Sequence, residues 1–308
     1  MATAGQLTND ELERLLQQLA GHPDVRLVRR FVPTSQYLEP DGRPLAKGVV
    51  VDTETTGMRH GQDKIIELGL VAFEFDPASG EVYRILETYN ALEDPGFPIP
   101  PESTEVHHIT DAMVANQRID DATVARLVDG AAIVIAHNAK FDRPFLESRL
   151  PVFSALPWAC SFAQVDWQKE GLGSQKLDYI AYRMGFFYDA HRAEADCLAL
   201  LEALRFQLPV SGKRALKAIL DQYQAQDYRL WARGSRFDTK DILKERGYRW
   251  DGEEKCWHRS VSETQLPGEL AWLKQAVYGG RPATIDCETC DAYSRFSARG
   301  GKQAPRAL

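Results

Sequence analysis

The chain has 308 residues, 44% hydrophobic and 26% charged, which is enough for one large globular domain and one small one. Its longest apolar runs fall far short of the roughly 20 residues of a membrane span, so no membrane is implied. The formal charge of −7 hides an asymmetry. Residues 1–206 carry 19 Lys and Arg against 31 Asp and Glu, while residues 207–308 carry 18 against 13, so an acidic front joins a mildly basic back that permits contact with nucleic acid.

Residues 1–8 lack the basic and apolar regions of a leader, and five scattered cysteines suit a reducing cytoplasm. Thr8 and Glu11 form a capping box ahead of Leu12, Leu15, Leu16 and Leu19. Residues 9–20 therefore read as an amphipathic helix whose role is packing, ended by Gly21 and Pro23. Beyond it, Arg26, Arg29 and Arg30 stand among Val25, Leu27, Val28 and Phe31, a solvated cationic edge or, alternatively, a phosphate-contacting one. Residues 1–45 together make an N-terminal helical extension.

Residues 48–57, Gly-Val-Val-Val-Asp-Thr-Glu-Thr-Thr-Gly, read as a short buried strand ending in two carboxylates. Strand side chains alternate faces, so Asp52 and Glu54 point the same way. Carboxylates sharing a face repel each other and lose hydration, which a hard divalent cation relieves; a solvated turn closed by Gly57 is equally compatible with this segment alone. Residues 65–75 and 82–89, separated by a turn at 76–80, extend the strand into a sheet. Pro95, Pro98, Pro100 and Pro101 force an extended loop. Short helices at 103–108, 111–116 and 121–129 then feed an apolar strand at 131–136.

That strand runs into His137-Asn138-Ala139-Lys140-Phe141-Asp142, where Asn138 is a candidate helix cap and Asp142 falls in the first helical turn. A strand lying next to the first one would deliver Asp142 to the same end of the sheet as Asp52 and Glu54. Residues 177–184 form an amphipathic segment closed by Gly185, and 192–206 a periodic helix entered through His191-Arg192-Ala193-Glu194-Ala195-Asp196. Five helical residues turn through about 500°, so His191 must lie in the loop before the helix if it is to share a site with Asp196. A histidine beside carboxylates can titrate near neutrality and move protons.

From residue 207 the composition changes. Residues 207–227 read as a linker with a helix at 213–224 that can still pack on the preceding domain. Residues 228–232 read as a strand, followed by a short helix capped by Asp238, with Phe237 and Ile242 as a hydrophobic staple and Gly247 as its stop. A hairpin turns at Asp251-Gly252, and a final helix covers 263–277. Residues 228–296 thus form a small α+β accessory domain, and 297–308 a disordered tail. Trp231, Trp250 and Trp257 interleave with Lys240, Lys244, Arg246, Arg249 and Arg259. They make either a small aromatic core under a cationic surface or a platform for single-stranded nucleic acid, with Trp231, Lys240, Lys244, Trp250 and Trp257 as its contacts. Cys256, His258, Cys287 and Cys290 could supply four zinc ligands, free thiols being the default.

The ordered set Asp52-x-Glu54, Asp142 within His-Asn-Ala-Lys-Phe-Asp, and His191-x-x-x-x-Asp196 resembles the three motifs of the DEDDh 3′-5′ exonucleases. Members of that family include the proofreading epsilon subunit of bacterial DNA polymerase III, ribonuclease T and oligoribonuclease. The resemblance covers residues 46–206 and implies an α/β, ribonuclease-H-like mixed sheet with helices on both faces. It further implies two Mg²⁺ or Mn²⁺ ions held by Asp52, Glu54, Asp142 and Asp196, with His191 as general base, releasing nucleoside 5′-monophosphates from a 3′-end. Thr53, Thr55, Thr56 and Gly57 would contact the terminal nucleotide, Met58 would wedge against the last base, and His107, Asn138 and Phe141 match further substrate positions. His108 stands where the family has glycine. The expected substrate is a single-stranded 3′-end, DNA ahead of RNA, in proofreading or repair, with a DNA polymerase or another repair protein as candidate partner. An RNA-trimming ribonuclease and a non-catalytic nucleic-acid- or polymerase-binding scaffold are the alternatives.

Overall fold

The computed structural model describes residues 8–308; residues 1–7, most of the stretch read for a leader, lie outside the described residues. Helix α1 (Asn9–Leu19) and strand β1 (Arg29–Arg30) precede β2 (Ala46–Thr55), β3 (Ile65–Phe75) and β4 (Val82–Leu92). Three short helices, α2 (Pro101–His107), α3 (Asp111–Val114) and α4 (Asp121–Val128), lead to β5 (Ile133–Ala136), α5 (Ala139–Arg149), β6 (Trp158–Cys160) and α6 (Ser161–Gln164). Then come α7 (Leu177–Met184), β7 (Phe186–Phe187), α8 (Ala193–Arg205) and α9 (Ala215–Tyr223). The C-terminal part holds β8 (Asp227–Trp231), α10 (Lys240–Glu245), β9 (Arg249–Asp251), β10 (Cys256–Ser262), α11 (Leu266–Trp272), β11 (Thr284–Cys290) and β12 (Lys302–Ala307).

The first sheet has the order β4-β3-β2-β5-β6. Its β4, β3 and β2 run antiparallel, and β5 and β6 continue parallel to β2. Alternation along β2 explains why both faces are covered. Val50 enters one core with Ile133, Ile135, Leu200 and Leu204, while Val49 and Val51 enter the other with Leu70, Val134, Leu127 and Leu146. A mixed sheet with helices on both sides is the expected class. Helix α9, read as part of a linker, buries Leu216 and Ile219 in the first of these cores.

The second sheet, β12-β11-β8-β10-β9, is antiparallel throughout. One face packs Leu230, Val261 and Ile285 under Leu243 of α10 and Leu266 of α11. Residues 297–308 are not a disordered tail: β12 pairs with β11 from Thr284 opposite Ala307 to Thr289 opposite Lys302. Its side chains are all exposed and include Pro305, a composition that reads as tail in sequence but suits an edge strand. The zinc set is not assembled, because Cys287 lies opposite Leu230 on the core face while Cys256, His258 and Cys290 fall on the alternate register, and all five cysteines are free.

Two local expectations also fail. Helix α1 buries none of its residues, so its leucines do not pack as the spacing suggested; the extension is held instead by β1 pairing with β7 and by Arg29 on Glu13. Phe237 is 83% exposed and lies under the Lys240 ammonium, 4.4 Å away, so no staple forms with Ile242, and Asp238 pairs with Arg236 rather than capping α10.

Candidate active site

The acidic site is built where β2 ends. Asp52 and Glu54 sit opposite Gly69 and Glu67 of β3, and α8 brings Asp196 against them. An added Cβ at Gly69 would come within 2.4 Å of the Ala193 carbonyl, so glycine there lets the start of α8 press onto the strand. Oxygens of Asp52, Glu54 and Asp196 all fall within 4.8 Å of one another. Asp196 is fixed by three donors: Tyr188 Oη at 2.8 Å on Oδ1, and the amides of His191 at 2.8 Å and Arg192 at 3.1 Å on Oδ2.

Asp142 stands beside this trio rather than within it. From the first turn of α5, 2% exposed, it accepts from the Thr53 amide at 3.1 Å and the Thr53 hydroxyl at 2.9 Å, bracing the residue between the two β2 acids. The parallel pairing of β5 with β2 brings it to this end of the sheet. His191 is exposed in the loop before α8, as the helical geometry requires, with φ +65°.

Burial is the main force acting on these carboxylates, and their mutual repulsion adds to it. Desolvation, then Asp142, Asp196 and Glu54, hold the Asp52 carboxyl well above its usual range. Desolvation followed by Asp196 and Glu67 pushes Glu54 up to about 8. Burial lifts Asp142 to about 7 against the bonds from Thr53, and raises Asp196 against those from Tyr188 and the loop amides. Such a set is relieved by a cation, and an all-oxygen anionic donor group fits hard ions such as Mg²⁺ or Mn²⁺.

The proposed substrate positions gather at the same strand end. Thr55 donates to the Gly57 carbonyl at 2.6 Å, and the Thr56 hydroxyl accepts from the Lys64 amide at 3.0 Å. A Cβ on Gly57 would lie 2.7 Å from the Asp63 carboxylate, so a larger residue there would require the Asp63 side chain to shift. Met58 projects into solvent, 78% exposed. His107 is buried, its Nδ1 accepting from the Ile109 amide at 3.0 Å, which leaves the hydrogen on Nε2, a buried atom with no partner. His108 adopts φ +59° at the end of α2, the left-handed conformation glycine favours and histidine tolerates. Asn138 is the N-cap residue of α5, as expected, but it is left-handed, φ +78°, and its side chain makes no cap bond. Phe141 packs 5.1 Å from Phe145.

The five accessory positions do not share one face, because Trp231 lies on the side of the sheet away from the others. Trp231 is 7% exposed and packs at a tilt against His258, ring centroids 4.8 Å apart, on the face opposite the Leu230 core. Trp250 and Trp257 pair across strands on the core side, where α10 carries Lys240 and Lys244. Two residues escaped the sequence reading, Tyr188 and Glu67. The signal for Glu67 was a lone acid inside the apolar run Ile65-Ile66-Glu67-Leu68.

The exonuclease family designated RNase_T matches residues 49–204. A DNA polymerase III subunit epsilon from Treponema pallidum (strain Nichols) is 32% identical over 161 residues, 49% of this chain and 71% of that protein. A PolC-type DNA polymerase III from Clostridium perfringens is 31% identical over 192 residues, 55% of this chain and 12% of that protein. Among solved structures, exonuclease X in complex with 5′-overhanging duplex DNA matches 55% of this chain and 99% of its own, at 24% identity and a TM-score of 0.39.

Proposed function

The chain belongs to the RNase_T exonuclease family, and from that premise we propose that it is a metal-dependent 3′-5′ exonuclease acting on DNA ends in proofreading or repair. The observation that carries this reading is the convergence of Asp52, Glu54 and Asp196 within 4.8 Å while none of them forms an ion pair among the described residues. Asp52, Glu54, Asp142 and Asp196 would hold two Mg²⁺ or Mn²⁺ ions. When bound, the ions supply Lewis-acid activation and charge neutralisation at the scissile phosphate.

The chain's own residues do the rest. His191, on an exposed loop, takes a proton from the attacking water on an imidazole nitrogen. Residues 53–57 seat the terminal nucleotide, Met58 lies against its base, and the unpartnered Nε2–H of His107 offers a donor from the floor of the site. The relatives that are DNA polymerase III proteins favour DNA and make a DNA polymerase the first partner to test.

A time course with 5′-labelled single-stranded DNA, 3′-mismatched duplex DNA and matched RNA, each with Mg²⁺, Mn²⁺ or chelator, tests this. Stepwise shortening from the 3′-end that chelator stops is expected, fastest on DNA. Faster trimming of RNA would move the protein to RNA processing, and no cleavage by folded protein would leave a binding scaffold.

A further inference from the structure

Glu67 is the buried carboxylate beside the acidic trio that has no oxygen left for a cation. It lies on β3 directly across from Glu54 and is 0% exposed. Oε1 accepts from Arg192 Nη2 at 2.7 Å and Asn90 Nδ2 at 3.0 Å; Oε2 accepts from Arg192 Nε and the Ala193 amide, both at 3.1 Å. A carboxylate offers about four acceptor positions, and these donors fill them.

All but one of the donors belong to the two residues that follow His191. His191 itself holds a left-handed φ of +65°, a conformation uncommon outside glycine although histidine tolerates it. Asp196 grips the amides of His191 and Arg192, and Glu67 grips the Arg192 side chain and the next amide. The loop is thereby clamped from the strand and from the helix.

We propose that Glu67, acting through Arg192 and the Ala193 amide, is a positioning residue that sets the orientation of His191 toward the site. The proposal rests on the reading of His191 as the base. Glu67 touches no substrate, and its filled coordination separates it from the metal-binding carboxylates. A residue that only stabilised the fold would act whether or not His191 were present, and that difference is measurable.

The test uses the full chain with Mn²⁺ and a labelled single strand, comparing Arg192→Leu, Glu67→Gln, His191→Ala and the double variants with His191→Ala, with Mn²⁺ affinity read by calorimetry. Arg192→Leu and Glu67→Gln should each lower kcat by about 10–100-fold, with KM and Mn²⁺ affinity unchanged, and Arg192→Lys should restore part of the rate. In the His191→Ala background both should be silent, since no base remains to be placed. Where Arg192→Leu fails to fold, Arg192→Gln, which keeps a donor for Glu67, gives the same comparison. Equal losses with and without His191 would overturn the positioning role while sparing the base assignment. Weakened Mn²⁺ binding in Glu67→Gln would overturn it by making Glu67 a ligand. An undiminished rate for His191→Ala would take down the base assignment and the proposal with it.

Discussion

Both five-stranded sheets bury carboxylates, and the company those carboxylates keep is different. In the C-terminal sheet region Glu269, 3% exposed, is held by Arg246 and Arg259 at 3.1 Å each, and Glu288 by Arg229 at 3.2 Å. Where the two parts of the chain meet, Glu147 is held by Arg143 at 2.7 Å and Arg299 at 2.8 Å. At the end of β2 the acids Asp52, Glu54, Asp142 and Asp196 form no ion pair among the described residues; their neighbours are one another. A buried acid with an arginine is complete within the protein. One surrounded by other acids must bind protons or draw a cation from solution, so the partner, rather than burial, distinguishes structure from site.

Substitutions should divide along that line. Asp52→Asn is expected to lower hydrolysis by more than about 10³-fold while thermal stability stays level or rises, because a mutual repulsion has been deleted. Labelled-strand assays and calorimetry read the two effects. His191→Ala should slow turnover by about 10²–10⁴-fold with Mn²⁺ affinity kept, and an unchanged rate would place the base elsewhere. Glu269→Gln should do the reverse of Asp52→Asn, lowering stability by about 1–3 kcal/mol and leaving activity per folded molecule intact. An Asp52→Asn protein destabilised like Glu269→Gln would erase the contrast between the sheets.

The parts of this arrangement that were legible in the sequence are those with a local period or a fixed offset. Three valines before Asp52-x-Glu54 announced a buried strand with two acids on one face, and the five-residue gap forced His191 out of the helix. Glu67 and Tyr188 were not legible as site residues, because what makes them matter is a partner that no local period marks: Arg192, 125 residues away, for the one, and Asp196, across the loop before α8, for the other. Likewise β12 carries no apolar alternation, since an edge strand exposed along its length needs only backbone partners, which β11 supplies. The leucines of α1 mislead in the opposite direction, having the spacing of a packed helix while none of them is buried among the described residues.

The smallest expected effect concerns pH, and its sign follows from the unpaired acids. Glu54 is held up to about 8 and Asp142 to about 7, against about 4 for carboxyls in an unfolded chain. Between those values the unfolded chain gives up its protons first, so it binds fewer than the folded one, and stability falls as pH rises from about 4 to about 8. Below that window both states are protonated and the penalty is absent. With chelator present, the thermal midpoint should therefore drop by a few degrees from pH 5 to pH 8, and Glu54→Gln should drop less, having lost one contributor. Saturating Mn²⁺ should flatten the decline, since the ionised carboxylates that burden the apo fold are the form that binds the ion. The paired acids of the C-terminal sheet region each hold an arginine in place, so a cation adds nothing to them. Midpoints measured by calorimetry at pH 5, 6, 7 and 8 decide the matter. If chelated wild type and Glu54→Gln decline together, or Mn²⁺ leaves the slope untouched, the acids at the end of β2 are no different in kind from Glu269 and Glu288.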